Sequence, residues 1–266
     1  MICIMENPAF LLHNGTMPPE GLCPMPWRTL RYDKRDQCAI VEVADTSSGQ
    51  DTFAGELADV CSDISSDDEV RVAILHFDGR TMQSSWPEPR GECSPVEEIA
   101  RLRQPVIAAI QGDCVNLGLE LAMAADLRVA EDGARFGLTQ IAEGSIPHAG
   151  GTQRLPRLVG IGKALEMVLT GEPIGTAEAK RTGLIHRIAP SGQALEQALT
   201  LARDMSLRSP LSLSYVKEAL RDGLDMTLEQ GLRMEFDLYL LLFSTADRKE
   251  GLTAFLERRT PHFKGE

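Results

Sequence analysis

One acidic side chain set in an otherwise apolar stretch is the feature of this chain best placed to do chemistry. Glu120 lies in Gly118-Leu119-Glu120-Leu121-Ala122-Met123-Ala124, a run that carries no other charge. On a helix there its carboxylate is at least partly desolvated, and desolvation raises a carboxyl pKa toward the range useful for proton transfer. The Leu117 N–H falls at the start of the same helix, where free amides and the helix dipole stabilise negative charge. An enolate or other oxyanion held at that amide, beside Glu120, makes a coherent acid/base site. The plainer alternative is a partly exposed helix glutamate with no chemical role.

Other chemistries find less support. Gly160-Ile161-Gly162-Lys163-Ala164 lacks the upstream glycine and the closing Ser or Thr of a phosphate loop, and reads as a helix start. The sequence contains neither H-E-x-x-H nor G-x-S-x-G, and its five histidines are dispersed, so neither a metal site nor a nucleophilic serine is expected. Six cysteines (Cys3, Cys23, Cys38, Cys61, Cys93 and Cys114) form no C-x-x-C pair. They read as reduced thiols of an intracellular, cytoplasmic protein, with Cys114 packing near the start of the Glu120 helix.

Positioning Glu120 requires a core large enough to bury it, and the chain supplies one. Its 266 residues are 43% hydrophobic and 25% charged, which fits one globular domain with a small appendage. Acidic residues outnumber basic ones, 39 to 27, for a formal charge of −12. A surface that negative argues against nucleic acids and anionic membranes as partners. No window approaches the roughly 20 apolar residues that span a bilayer. The opening Met1-Ile2-Cys3-Ile4-Met5-Glu6-Asn7 has no basic region and no long apolar stretch, so no secretory signal is expected.

Three regions follow from the patterning. Residues 1–27 are irregular and rich in proline, and read as a surface arm packed through Phe10, Leu11, Leu12 and Trp27. Residues 28–194 alternate strands with helices. The strands are Cys38–Val43, Val70–Phe77, Pro105–Ile110 and Leu127–Ala130; the helices are Phe53–Ile64, Val96–Arg103 and Asn116 or Leu117 to Ala125. The stretch Arg80–Pro95 reads as loop. This alternation predicts an α/β core with parallel pairing. Residues 195–266 read as nearly continuous helix, over 195–207, 210–222, 227–243 and 247–258, with apolar stripes such as Leu232, Phe236, Leu240 and Phe243.

Several segments then resemble the crotonase (enoyl-CoA hydratase/isomerase) superfamily. They are Pro105-Val106-Ile107-Ala108-Ala109-Ile110-Gln111-Gly112, Leu119-Glu120-Leu121-Ala122-Met123-Ala124-Ala125-Asp126, Ala134-Arg135-Phe136-Gly137, and Gly144-Ser145-Ile146-Pro147-His148-Ala149-Gly150-Gly151-Thr152-Gln153-Arg154-Leu155. Leu169-Thr170-Gly171-Glu172-Pro173-Ile174 and the closing stretch from Asp247 to Phe263 complete a likeness over roughly residues 38–264. The resemblance implies a spiral of β-β-α units with a helical C-terminal trimerisation region, assembled as a homotrimer or a dimer of trimers. It implies an acyl-CoA thioester substrate, coenzyme A being part of that substrate, with no separate cofactor. It implies an oxyanion hole of two backbone N–H groups, from Leu117 and from Trp86, the loss of one such donor costing about 3 kcal/mol in acyl-transfer enzymes. It also assigns coenzyme A contacts to Ser84, Phe255 and Arg258, the last two toward a neighbouring subunit.

This sequence departs from that pattern in three places. The family's hydratases use two glutamates on water; the first matches Glu120, but the second position, twenty residues on, holds Gln140. An amide orients water without exchanging a proton at ordinary pH, and Glu143 lies nearby at the wrong spacing. His148 stands where hydratases usually carry glycine; a histidine there suits a general acid or base, or merely fits local packing. The loop Met82-Gln83-Ser84-Ser85-Trp86-Pro87 lacks the family's glycine and aspartate, and Leu117 replaces a common glycine. His76 and Asp78, which end the strand before that loop, read as ordinary loop-edge residues. The leading expectation is hydration or dehydration of an α,β-unsaturated acyl-CoA, with Glu120, Gln140 and His148 as the catalytic set. Double-bond isomerisation is the main rival, followed by hydrolysis or decarboxylation of a specialised acyl-CoA, and by an acyl-CoA-binding subunit without turnover.

Overall fold

Runs of consecutive apolar residues become the middle strands of a sheet buried on both faces. In the computed structural model, which describes residues 28–43, 50–78 and 95–266, strands β2 (Cys38–Val43), β3 (Val72–Phe77) and β4 (Val106–Ile110) pair in parallel. The register sets Leu75 between Val41 and Ala108. Successive residues serve opposite faces: Val41, Leu75 and Ala108 enter the main core, whereas Ile40, Ile74 and Ile107 enter a second one. A strand covered on both faces needs no polar alternation, which is why these segments read as continuous apolar runs.

Strand β1 (Leu30–Arg35) closes one edge in antiparallel pairing. Strands β6 (Leu127–Glu131) and β9 (Arg187–Ala189) extend the other edge in parallel, giving the order β1-β2-β3-β4-β6-β9. Parallel neighbours need crossovers, and helices α1 (Gln50–Ser66), α2 (Pro95–Arg101) and α3 (Leu117–Ala124) lie on them. A second sheet of short strands, β5 (Cys114–Val115), β7 (Arg135–Gly137) and β8 (Ile174–Gly175), runs in the order β5-β7-β8. The main core takes Phe53, Ile99 and Leu121 from the three helices and Phe136 and Ile174 from the small sheet.

Helices α4 (Gly151–Val159), α5 (Ile161–Thr170) and α6 (Thr176–Thr182) follow; α5 is the helix expected at Gly160. Helix α7 (Ala194–Ser206) packs Ala198, Leu199 and Ala202 into the second core, on the opposite face of the large sheet. Helices α8 (Pro210–Gly223), α9 (Leu228–Phe243) and α10 (Ala246–Glu257) leave Leu220, Leu228, Leu232, Phe236 and Phe243 exposed. Lys217 docks α8 on the core, its Nζ 2.7 Å from Asp126 Oδ2 and 2.8 Å from the Gln104 carbonyl.

The four expected strands and the C-terminal helices form within two residues of their sequence-derived limits, whereas α1 runs from Gln50 to Ser66, beyond the expected Phe53–Ile64 at both ends. The surface arm, residues 1–27, and nearly all of the expected 80–95 loop lie outside the described residues. No helix among the described residues is long and apolar enough to cross a membrane.

Candidate active site

Helix α3 is the centre of the site, and all eight of its residues are buried. A helix apolar around its whole circumference belongs in the interior. The residue before it, Asn116, has φ 51°, a conformation that short polar side chains tolerate better than most. Its Oδ1 accepts the Thr139 N–H at 2.7 Å and the Thr139 hydroxyl at 3.0 Å, tying the segment before Gln140 to the start of α3. Its carbonyl accepts the Glu120 N–H at 3.0 Å, closing the first helical turn. Leu117 is the first residue of that turn, where an amide has no helical carbonyl to donate to.

The other end of α3 is sealed by Arg128. This side chain, on β6, is almost wholly buried and donates from Nη1 to Ala125 O at 2.7 Å and Ala122 O at 3.3 Å, and from Nε to Leu184 O at 2.7 Å. A cation at a helix C-terminus meets the orphan carbonyls and the negative end of the dipole. Burial pulls its pKa down to about 10, leaving it charged at neutral pH.

Glu120 is 1% exposed. Its Oε1 accepts two backbone N–H groups, from Ala149 and from Gly151, each at 2.8 Å. Its Oε2 is buried and has no hydrogen-bond partner among the described residues. One oxygen is therefore fixed and the other is left for a proton or a reacting group. Burial pushes this carboxyl pKa up; the two amides, and the charges of His148 and Arg154, hold part of that rise back. A buried glutamate with a raised pKa and one unused oxygen can take and return a proton near neutral pH.

The positions singled out from sequence fall as follows. Gln140 opens a 3₁₀ turn (Gln140–Glu143), is 4% exposed, and buries an Oε1 that has no hydrogen-bond partner among the described residues. Glu143, at the end of that turn, is exposed. His148 is exposed and immediately precedes the Ala149 amide that binds Glu120. Phe255 and Arg258 are exposed at the end of α10, Arg258 closing that helix at φ 55°. Ser84 and Trp86 lie outside the described residues. His76, read as a loop-edge residue, is a buried member of β3 whose Nε2 lies 2.7 Å from Gln111 Oε1. Cys38, Cys61 and Cys114 are free and buried, Cys114 in β5. Among the described residues no group of three or more His, Cys, Asp or Glu could hold a metal ion.

The residues that grip Glu120 escaped the sequence reading. Ala149 and Gly151 act through backbone amides at the start of α4, a placement to which the paired Gly150-Gly151 was the available signal. Arg154, one turn into α4, donates from Nη1 to Ala149 O at 3.2 Å and from Nη2 to Glu97 Oε1 at 2.6 Å.

Comparison with known proteins places the chain in a family. Residues 91–266 match the family described as enoyl-CoA hydratase/isomerase. The chain is 48% identical over 162 residues to the 2,3-dehydroadipyl-CoA hydratase of Escherichia coli (strain K12), a match covering 61% of this chain and 64% of that protein. It is 36% identical over 225 residues to the (E)-benzylidenesuccinyl-CoA hydratase of Thauera aromatica, covering 79% and 88%. The crystal structure of an enoyl-CoA hydratase from Bacillus anthracis superposes with a TM-score of 0.84 at 33% identity, covering 90% of this chain and all of that one. With an α/β spiral around a buried helix carboxylate, and a family match from residue 91 to residue 266, well over half of its length, this chain belongs to the enoyl-CoA hydratase/isomerase family, within the crotonase superfamily.

Proposed function

We propose that the protein is a lyase of the enoyl-CoA hydratase type, adding water to an α,β-unsaturated acyl-CoA or removing it. The observation that carries this reading is the Glu120 carboxyl, with Oε1 clamped by two amides, Oε2 unpartnered, and a raised pKa. As a carboxylate, Glu120 takes a proton from water as the water oxygen bonds to Cβ. The Cα=Cβ electron pair moves onto the thioester as an enolate. The Leu117 N–H, with that of Trp86, stabilises the enolate oxygen. The protonated Glu120 then returns a proton to Cα, so that water is added overall. Gln140 accepts a hydrogen bond from the water through its orphaned buried Oε1, and His148 serves as a proton relay.

Ser84 contacts coenzyme A within the subunit, and Phe255 and Arg258 reach it from a neighbour. The exposed leucine and phenylalanine side chains of α8 and α9 support a homotrimer or a dimer of trimers. The free thiols of Cys38, Cys61 and Cys114 are in keeping with a cytoplasmic location.

A second reading, double-bond isomerisation, is favoured by one observation: the residue at 140 is an amide, and isomerisation needs only one mobile proton carrier. Mass spectrometry of an enoyl-CoA panel incubated with the protein in deuterated water separates the two. A product heavier by one D₂O is the expected result. Deuterium uptake without added water replaces hydration by isomerisation, and saturable binding with no product change overturns both.

A further inference from the structure

The loop that fixes Glu120 is itself held from behind. The amides of Ala149 and Gly151 converge on Glu120 Oε1, while the Ala149 carbonyl, on the peptide between them, is taken by Arg154 Nη1 at 3.2 Å. The guanidinium packs directly on Gly150, in the space a Cβ would need, and Gly150 has φ 102°. From the other side Arg154 Nη2 meets Glu97 Oε1 of α2 at 2.6 Å. The Arg154 side chain is only 20% exposed, so this fork sits mostly out of water.

We propose that Arg154, tethered by Glu97, is a positioning residue for Glu120. It fixes the peptide between residues 149 and 150, so that the amides on either side point at one carboxylate oxygen. Its charge also favours the ionised carboxylate. Among the described residues, the charged and titratable groups bearing on Glu120 are Arg154 from α4 and His148 from the segment before it, with Glu97 of α2 behind Arg154. A planar fork reaches a carbonyl and a carboxylate at once; a lysine ammonium is a point charge and cannot reproduce that geometry.

This inference rests on Glu120 being the proton carrier, and its test does not need turnover. Isotope-edited infrared titration reads the protonated glutamic acid band, assigned to Glu120 by its loss in Glu120→Gln. In Arg154→Gln the Glu120 titration is expected to move up by about one pH unit, with Arg154→Lys in between. A titration unchanged in both variants overturns the proposal. Arg154→Lys keeps the test open if Arg154→Gln fails to fold. With crotonyl-CoA as the probe, Arg154→Gln should lower kcat about tenfold or more with KM little changed, the acid limb of the profile following the infrared shift. A raised KM at unchanged kcat would count against positioning. If the wild-type protein leaves crotonyl-CoA and the wider panel unchanged, the proposed activity falls, and the infrared titration still decides the role of Arg154.

Discussion

Glu120 and Gly151 are in direct contact: the Gly151 N–H donates to Oε1 at 2.8 Å, and a Cβ at residue 151 would stand 2.9 Å from that same oxygen. It would also meet Pro147 Cβ at 2.8 Å and Leu138 Cδ1 at 3.0 Å. Gly151→Ala should therefore push the carboxylate off its amides while leaving the fold standing. Activity is expected to fall about a hundredfold, the scale of a misplacement near 1 Å. Steady-state kinetics beside circular dichroism check this, and wild-type activity in the alanine variant would show that the contact relaxes harmlessly.

Replacing Glu120 by Gln keeps an oxygen for the two amides and removes the proton carrier. Turnover should drop by about 10²- to 10⁴-fold, the usual worth of a positioned acid/base group. Stability should move the other way. A carboxyl whose folded pKa is raised holds its proton more tightly in the folded chain, so its contribution is present below the unfolded value and is lost as pH rises through the folded one. At pH 8 Glu120→Gln should accordingly melt higher than wild type, and the difference should shrink toward pH 4. Calorimetry at both pH values measures it.

Gln140→Leu removes the buried oxygen that has no partner among the described residues. Under the hydratase reading the water loses its holder, so hydration falls about tenfold while deuterium exchange at Cα falls less. Parallel assays of water addition and exchange distinguish this from isomerisation, in which no water is added and exchange alone is left to respond.

The link between β6 and β9 carries a pH dependence of its own. His186 Nδ1 accepts the Arg128 N–H at 3.0 Å, which requires that nitrogen unprotonated. Burial, with the charges of Arg128 and Lys180, pushes the His186 pKa down to about 4 from an ordinary 6.5. Between those values the unfolded chain binds more protons, so this stabilisation is full above pH 6.5 and is lost as pH falls toward 4. His186→Asn, whose carbonyl can accept the same N–H without titrating, should flatten the fall in urea midpoint between pH 7 and pH 4.5. An equally steep fall in the variant would assign the acid sensitivity elsewhere.

What the sequence disclosed depended on how many residues a feature occupied. Cys38–Val43, Val72–Phe77 and Val106–Ile110 are legible because each is long enough to show a mainly apolar run, broken only by Glu42 in the first and His76 in the second. Cys114–Val115 and Ile174–Gly175 are two-residue strands, too short for any period, and only tertiary pairing reveals them. Glu120 stood out as a lone charge among apolar neighbours. Its grip did not, because it comes from main-chain amides 29 and 31 residues away that carry no side-chain signature. Arg128 read as an ordinary strand residue, since nothing local indicates that its guanidinium folds back to end α3.

The use of main-chain amides to hold Glu120 has an evolutionary consequence. An amide survives replacement of its own side chain, so the anchor asks no particular side-chain chemistry of residue 149, although burial keeps that residue small, while residue 151 is locked by lack of space. Gln140 and His148 are not among the groups whose N–H grips Glu120. A lineage could exchange Gln140 or His148, altering which proton moves or which acyl group fits, without first loosening the carboxylate on which the chemistry depends. The site is built for innovation at its margin and immobility at its centre.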